Sequence, residues 1–79
     1  MNRRLRNLSS REVERVRRQA GFELSYQKGS HRQYIGFIKG QRRKVTVAAP
    51  RESYYVRIIA SMVRQSGLSE EEWVELLEG

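Results

Sequence analysis

The chain has no cysteine, one histidine and one proline among its 79 residues. The absence of cysteine excludes a disulfide framework, a cysteine-based zinc site and a thiolate nucleophile. No apolar run approaches the roughly eighteen residues of a membrane span, and the basic N-terminus is not followed by the apolar segment of a signal peptide. We therefore expect a cytoplasmic protein that is neither secreted nor inserted in a membrane.

The length of the chain limits what it can enclose. A domain of this size buries only about 60% of the surface that its unfolded form exposes. A second domain and a deep substrate cavity are therefore not expected, which argues against enzymes with large ligands. We predict a single domain over residues 1–79, with its core over 8–77.

Positive charge is concentrated in the first part of the chain. The formal net charge is +7, and residues 1–51 carry fourteen Lys and Arg against three Glu, whereas residues 52–79 carry two Arg and six Glu. A polyanion should therefore be attracted to the first part and repelled by the last. Basic charge also keeps small domains soluble, so the net charge alone leaves nucleic-acid binding open.

Local signals predict a first helix that ends at Ala20. Ser9 and Glu12 have the spacing of a capping box, and Gly21 stands where a left-handed residue ends a helix. A second capping box, Ser69 and Glu72, predicts a short last helix that carries Trp73, Leu76 and Leu77.

Three strands are predicted between the helices. From Phe22 the apolar residues alternate with polar ones, so that Phe22, Leu24 and Tyr26 should line the buried side of a half-buried strand. Further strands are expected at 31–38 and 43–48, with turns at 28–30 and 39–41. Gly36 indicates a bulge in the second strand, and the sequence leaves open which side of that strand is buried.

The strongest helical pattern follows the only proline. Apolar residues recur at helical spacing and should form one buried stripe: Tyr55, Ile58, Ile59, Met62 and Val63. Gly67 should end this helix. The order α-β-β-β-α(α) predicts an α+β domain in which helices cover one face of a three-stranded antiparallel sheet, and the other face is left for a ligand.

Basic residues cluster at the predicted turns and strand ends, with Tyr26 and Tyr34 nearby. They are Lys28, Arg32, Lys39, Arg42, Arg43 and Lys44. Such residues bind phosphates with little sequence preference, and salt weakens that binding. The run 42–44 could instead protect an edge strand from aggregation, although edge protection does not explain the basic first helix.

His31 is the residue best suited to proton transfer. It follows Gly29 and Ser30 and stands between Lys28 and Arg32, so that a base, two cations and a flexible turn are close in sequence. RNA cleavage needs a base, an acid and cations beside the phosphate, and glycine lets backbone N–H groups approach it. A lone histidine is more often an ordinary residue, so the spacing alone leaves catalysis open.

The sequence offers no convincing set of metal ligands. There is one histidine and no cysteine, and the only clustered carboxylates belong to the last helix, so neither a metal nor another cofactor is predicted. Residues 63–69 and that helix also have the outline of a helix-turn-helix corner. The five glutamates of the helix argue against DNA binding, because they would face the phosphates.

Several spaced blocks resemble one protein family. They are Ala20-Gly21-Phe22-Glu23-Leu24, Gln27-Lys28-Gly29-Ser30-His31, Arg43-Lys44-Val45-Thr46-Val47 and Val63-Arg64-Gln65-Ser66-Gly67-Leu68-Ser69. Between Leu8 and Leu77 the chain resembles the HicA-type mRNA interferase toxins of bacterial and archaeal toxin–antitoxin systems. It departs from their usual pattern at Arg32, where a second histidine often stands, and over residues 51–55, where a segment with Lys and Gly is usual.

The resemblance implies a fold like that of double-stranded-RNA-binding domains and a metal-independent endoribonuclease that cleaves mRNA. It places the catalytic histidine at His31 and implies that a HicB-type antitoxin covers it, with the toxin a monomer or in a small complex with the antitoxin. We expect the RNA phosphates to contact Lys28, Gly29, Ser30, Arg32, Arg42, Arg43 and Lys44. Two alternatives remain: a non-catalytic RNA-binding module of the same fold, and a small protein that docks an acidic partner.

Overall fold

The computed structural model describes residues 1–79 and shows three helices and three strands in the predicted order. A short 3₁₀ turn, Arg3–Leu5, precedes them. The helices are α1 (Ser10–Ala20), α2 (Val56–Ser66) and α3 (Glu70–Glu78), and the strands are β1 (Glu23–Lys28), β2 (His31–Ile38) and β3 (Gln41–Ala48). The strands form one antiparallel sheet in the order β1-β2-β3. The predicted α+β class is confirmed.

Both predicted capping boxes are present. The Ser9 hydroxyl accepts a hydrogen bond from the backbone N–H of Glu12, and the Glu12 carboxylate accepts one from the backbone N–H of Ser9. Ser69 and Glu72 repeat this arrangement at the start of α3. Gly21 ends α1 with φ at +86°, a left-handed conformation that favours glycine.

Two-residue turns connect the three strands. Gly29 and Ser30 join β1 to β2, and Lys39 and Gly40 join β2 to β3. Lys39 and Gly40 both have positive φ, 53° and 81°, as a type I′ turn requires. Because the turns are this short, they fix which residues face each other across the sheet.

The helices cover one face of the sheet. Tyr34 and Ile38 of β2 and Val45 and Val47 of β3 are buried under them, since residues on one face of a strand recur at every second position. This settles the orientation of β2, which the sequence left open. The opposite face, called the open face below, carries Glu23, Tyr26, Lys28, His31, Gln33, Ile35, Phe37, Arg42, Lys44, Thr46 and Ala48.

The predicted burial of β1 is wrong. Phe22 is buried just before the strand, but Leu24 and Tyr26 are 49% and 55% exposed. The helices pack on β2 and β3 and leave β1 uncovered. In addition, the pairing shifts between Leu24 and Tyr26, so that Tyr26 pairs with Gln33 on the open face. One extra residue in a strand moves the following side chains to the other face.

The bulge therefore lies in β1, and the bulge predicted at Gly36 is wrong. Gly36 pairs with Arg43 in an unbroken ladder between β2 and β3. Its lack of a side chain serves packing instead, because a Cβ at this position would lie 2.8 Å from a ring carbon of Phe22. Phe22 can be buried against the sheet only because residue 36 is glycine.

The stripe predicted for α2 is buried over half of its length. Ile59, Met62 and Val63 belong to the core, whereas Tyr55 and Ile58 are 71% and 37% exposed. Tyr55 caps the helix and is not part of it. The core also includes Leu5, which is fully buried in the 3₁₀ turn and had no predicted role.

Candidate active site and nucleic-acid interface

His31 begins the central strand and is exposed on the open face. It pairs with Lys28 of β1 on one side and with Ala48 of β3 on the other. The turn formed by Gly29 and Ser30 directly precedes it, and both turn residues are exposed. The imidazole is therefore open to a ligand that lies along the sheet, with a lysine beside it.

Two further cations lie on the open face. Lys44 pairs with Ile35, and Arg42 pairs with Phe37 near the opposite end of the sheet from His31. Both basic side chains are exposed. Together with Lys28 they form a basic face that a polyanion can contact while it also reaches His31.

The strand geometry separates Arg32 from His31. Consecutive residues of a strand point to opposite faces, and Arg32 pairs with Val47 on the helix-covered face. There it lines a cleft of about 170 Å³ beside α1, together with Ser10, Arg11, Val13, Glu14, Tyr34, Val47 and Ala49. The sequence suggested that Lys28 and Arg32 contact one phosphate beside His31, but only Lys28 shares its face.

Arg43 also lies on the helix-covered face. It is half-buried, and its guanidinium donates a hydrogen bond of 3.1 Å to the Gln41 side chain. It packs against Gly67 at the end of α2, where a Cβ would lie 2.6 Å from the Arg43 Nε. Of the run 42–44, the structure therefore places Arg42 and Lys44 on the open face and Arg43 within the packing.

Tyr54 fixes the end of β3 that flanks His31. Its buried hydroxyl donates a hydrogen bond of 2.7 Å to the carbonyl oxygen of Ala48 and lies 3.1 Å from the Ser10 hydroxyl. Ser10 is bonded in turn to the backbone of Arg51. Sequence reasoning missed this role, because Tyr54 belongs to no periodic pattern. A buried tyrosine hydroxyl requires a partner, but the sequence does not show that Tyr54 is buried.

Two basic side chains of α1, Arg15 and Arg17, bind other groups of the domain. The Glu14 carboxylate accepts hydrogen bonds from Arg17 and, at 3.3 Å, from the Tyr34 hydroxyl. The Arg17 guanidinium also lies 4.8 Å from the centre of the Tyr34 ring. The hydrogen bond from Arg17 lowers the pKa of Glu14, and that with Glu14 raises the pKa of Arg17. Arg15 donates to the Leu77 carbonyl at 2.9 Å.

No three His, Cys, Asp or Glu side chains come together in a way that could hold a metal ion. No helix is long and apolar enough to cross a membrane.

A small α+β domain thus exposes a histidine on a basic sheet face. A family model described as the HicA toxin of bacterial toxin-antitoxin systems matches residues 10–68, from the start of α1 to just beyond α2. The chain belongs to the HicA toxin family. No curated protein and no solved structure matches the chain, so the likeness to double-stranded-RNA-binding domains remains a prediction.

Proposed function

We propose that this toxin is an endoribonuclease that cleaves mRNA without a metal ion and uses His31 for proton transfer. One observation carries the proposal: the single histidine is exposed beside Lys28 at one end of a basic sheet face. Membership of a toxin family supports a damaging activity. The basic face supports RNA as its target, since phosphates dominate binding to such surfaces.

The chemistry needs a base, a cation and an acid, of which this face supplies the base and the cation. The neutral imidazole of His31 takes the proton of a ribose 2′-hydroxyl, and the 2′-oxygen bonds to the adjacent phosphorus. The bond from phosphorus to the 5′-oxygen breaks, and an acid, either a second side chain or water, protonates that oxygen. The Lys28 ammonium stabilises the negative charge that develops on the phosphate. The products are a 2′,3′-cyclic phosphate and a free 5′-hydroxyl.

The test is RNA cleavage in the presence of EDTA. Wild type, His31→Ala and Gln33→Ala are compared, and circular dichroism verifies that all three are folded. Gln33 is the matched control, because it is the next residue of β2 on the same face and cannot take up a proton at neutral pH. We expect cleavage by wild type and Gln33→Ala only. Full activity of His31→Ala, or dependence of wild type on a metal, contradicts the proposal.

A toxin of a toxin–antitoxin system has an antitoxin partner, and we propose that this partner is of the HicB type and covers His31. The exposure of His31 supports this, because a protein bound over the open face at that point excludes RNA from it. Expression of the toxin with the protein encoded beside it should give a complex that protects RNA. Recovery of free, active toxin from that mixture contradicts the proposal.

One observation favours a second candidate, an RNA-binding module that does not cleave. Arg32 lies on the other face, so that Lys28 is the only cation that lies next to His31 on the open face. Salt-dependent RNA binding without scission by the folded wild type would select this candidate.

A further inference from the structure

We propose that the open face binds single-stranded RNA by stacking bases on the rings of Tyr26 and Phe37, while cations between and beside the rings hold the phosphates. The inference takes RNA as the ligand from the proposed function, but it does not depend on cleavage.

The pairing of the strands arranges the open face in four rows. The first holds Lys28, His31 and Ala48, and the second holds Tyr26, Gln33 and Thr46. The third holds Glu23, Ile35 and Lys44, and the fourth holds Phe37 and Arg42. Rows on one face are two residues apart, roughly 7 Å. A ligand strand along β2 would thus pass His31, then Tyr26, and reach Phe37 after roughly 20 Å.

Both rings are exposed to an unusual degree for their position. Phe37 is 74% exposed and Tyr26 is 55% exposed on the face that the helices leave uncovered, although most large aromatic side chains are at least half-buried. The bulge in β1 contributes, because it brings Tyr26 onto this face. Aromatic side chains on an otherwise basic, uncovered surface offer stacking platforms for bases.

The charge of the face points to a nucleic acid as its occupant. Lys28, Arg42 and Lys44 are exposed there, and the single acid, Glu23, lies at the edge of the third row. A ligand that is both aromatic and strongly anionic complements alternating rings and cations. RNA has both properties along its whole length, and electrostatic attraction and stacking then act on the same molecule.

The rings also distinguish single strands from duplexes. In a duplex the bases stack on one another and present only their edges, so that aromatic side chains cannot reach their faces. Unpaired bases can splay onto a sheet and stack on it. The open face therefore favours unpaired RNA, whereas the predicted likeness to double-stranded-RNA-binding domains points to duplexes.

Binding is measured by fluorescence anisotropy with a labelled ten-nucleotide oligouridylate and with an RNA duplex of equal length. All proteins carry His31→Ala, so that cleavage does not consume the probe. We expect Tyr26→Ala and Phe37→Ala each to weaken binding of the single strand about tenfold, and Tyr26→Phe to retain it. Tyr55→Ala is the matched control, because Tyr55 is a ring that is 71% exposed and lies just before α2, outside the open face.

Three results overturn the inference, whereas a fourth affects only the proposed function. Duplex binding as tight as single-strand binding does so, as does unchanged RNA affinity in Tyr26→Ala and Phe37→Ala with circular dichroism like that of the parent. Loss of co-purification with the antitoxin in those variants, with RNA affinity intact, assigns the rings to a protein interface. If the His31→Ala protein binds the single strand and wild type fails to cut it in the cleavage assay, the proposed function falls but this inference stands.

Discussion

The hydroxyl of Tyr54 donates a hydrogen bond of 2.7 Å to the carbonyl oxygen of Ala48, and Ala48 pairs with His31 across the sheet. This bond connects the segment between β3 and α2 to the strand that flanks the candidate catalytic residue. That segment is therefore integrated in the fold beside the candidate site.

Removal of this hydroxyl should destabilise the protein. Tyr54→Phe leaves the Ala48 carbonyl without its donor, and we expect the free energy of unfolding to fall by about 1 to 3 kcal/mol. Urea denaturation followed by circular dichroism measures it. The control is Tyr55→Phe, whose hydroxyl is on an exposed ring, with an expected change within about 0.5 kcal/mol. Equal stability of the two variants contradicts the prediction.

Lys44 and Arg43 are adjacent in sequence but lie on opposite faces, so their substitution should have different effects. Lys44→Ala removes a cation from the open face, and we expect weaker RNA binding with a salt dependence reduced by about one phosphate contact. Arg43→Ala removes packing against Gly67 and should lower stability while the salt dependence is unchanged. Titration of labelled RNA at several salt concentrations measures the difference, and identical slopes for the two variants refute it.

Gly36 should not tolerate alanine. The new Cβ lies 2.8 Å from a ring carbon of Phe22, so the ring must move, at a cost of about 1 to 3 kcal/mol. A double-mutant cycle with Phe22→Leu isolates this contact. We expect Gly36→Ala to cost less beside the smaller leucine, and purely additive effects would show that the ring is not responsible.

Acid should weaken the contact between the β2–β3 turn and α3. Hydrogen bonds from the Lys39 ammonium, at 2.8 Å, and from the backbone of Ser69 lower the pKa of Glu72 to about 2. A carboxyl whose pKa is lower in the folded state than in the unfolded state stabilises the fold above its unfolded pKa, and this contribution is lost as the pH falls from about 4.5 towards 2.

The measurement is the thermal midpoint between pH 7 and pH 2. We expect the decline below pH 4.5 to be shallower in Glu72→Gln than in wild type, because the variant has no carboxylate to protonate. Glu71→Gln is the control, since Glu71 is exposed and takes no part in an ion pair. A decline that is equally steep in Glu72→Gln contradicts the assignment.

Features with a local cause could be predicted from the sequence. The capping boxes at Ser9 and Ser69 and the end of α1 at Gly21 depend on residues within a few positions of one another. The position of Tyr26 on the open face could not be predicted, because the bulge in β1 depends on how that strand pairs with β2. The exposure of Tyr55 likewise depends on where α2 lies, which its own periodicity does not specify.

The candidate site, too, could be predicted only in part from the sequence. The sequence singled out His31 and Lys28, and the structure places both on the open face. Arg32 was grouped with them by proximity, although the alternation of a strand already indicated the opposite face. Tyr54 carried no sequence signal. The roles in catalysis and RNA binding remain predictions.

The two outer strands differ in how many backbone N–H and C=O groups they leave free to pair with a strand of another chain. Along the outer edge of β3, the Thr46 N–H donates to the Gln65 side chain at 2.9 Å, and the Ala48 carbonyl accepts from Tyr54. All residues of β1 are exposed, and its outer edge has no neighbouring strand. Strand addition is therefore directed to β1. An added strand would thus find a full length of free backbone groups along β1, whereas on β3 it would have to displace Gln65 and Tyr54 from Thr46 and Ala48.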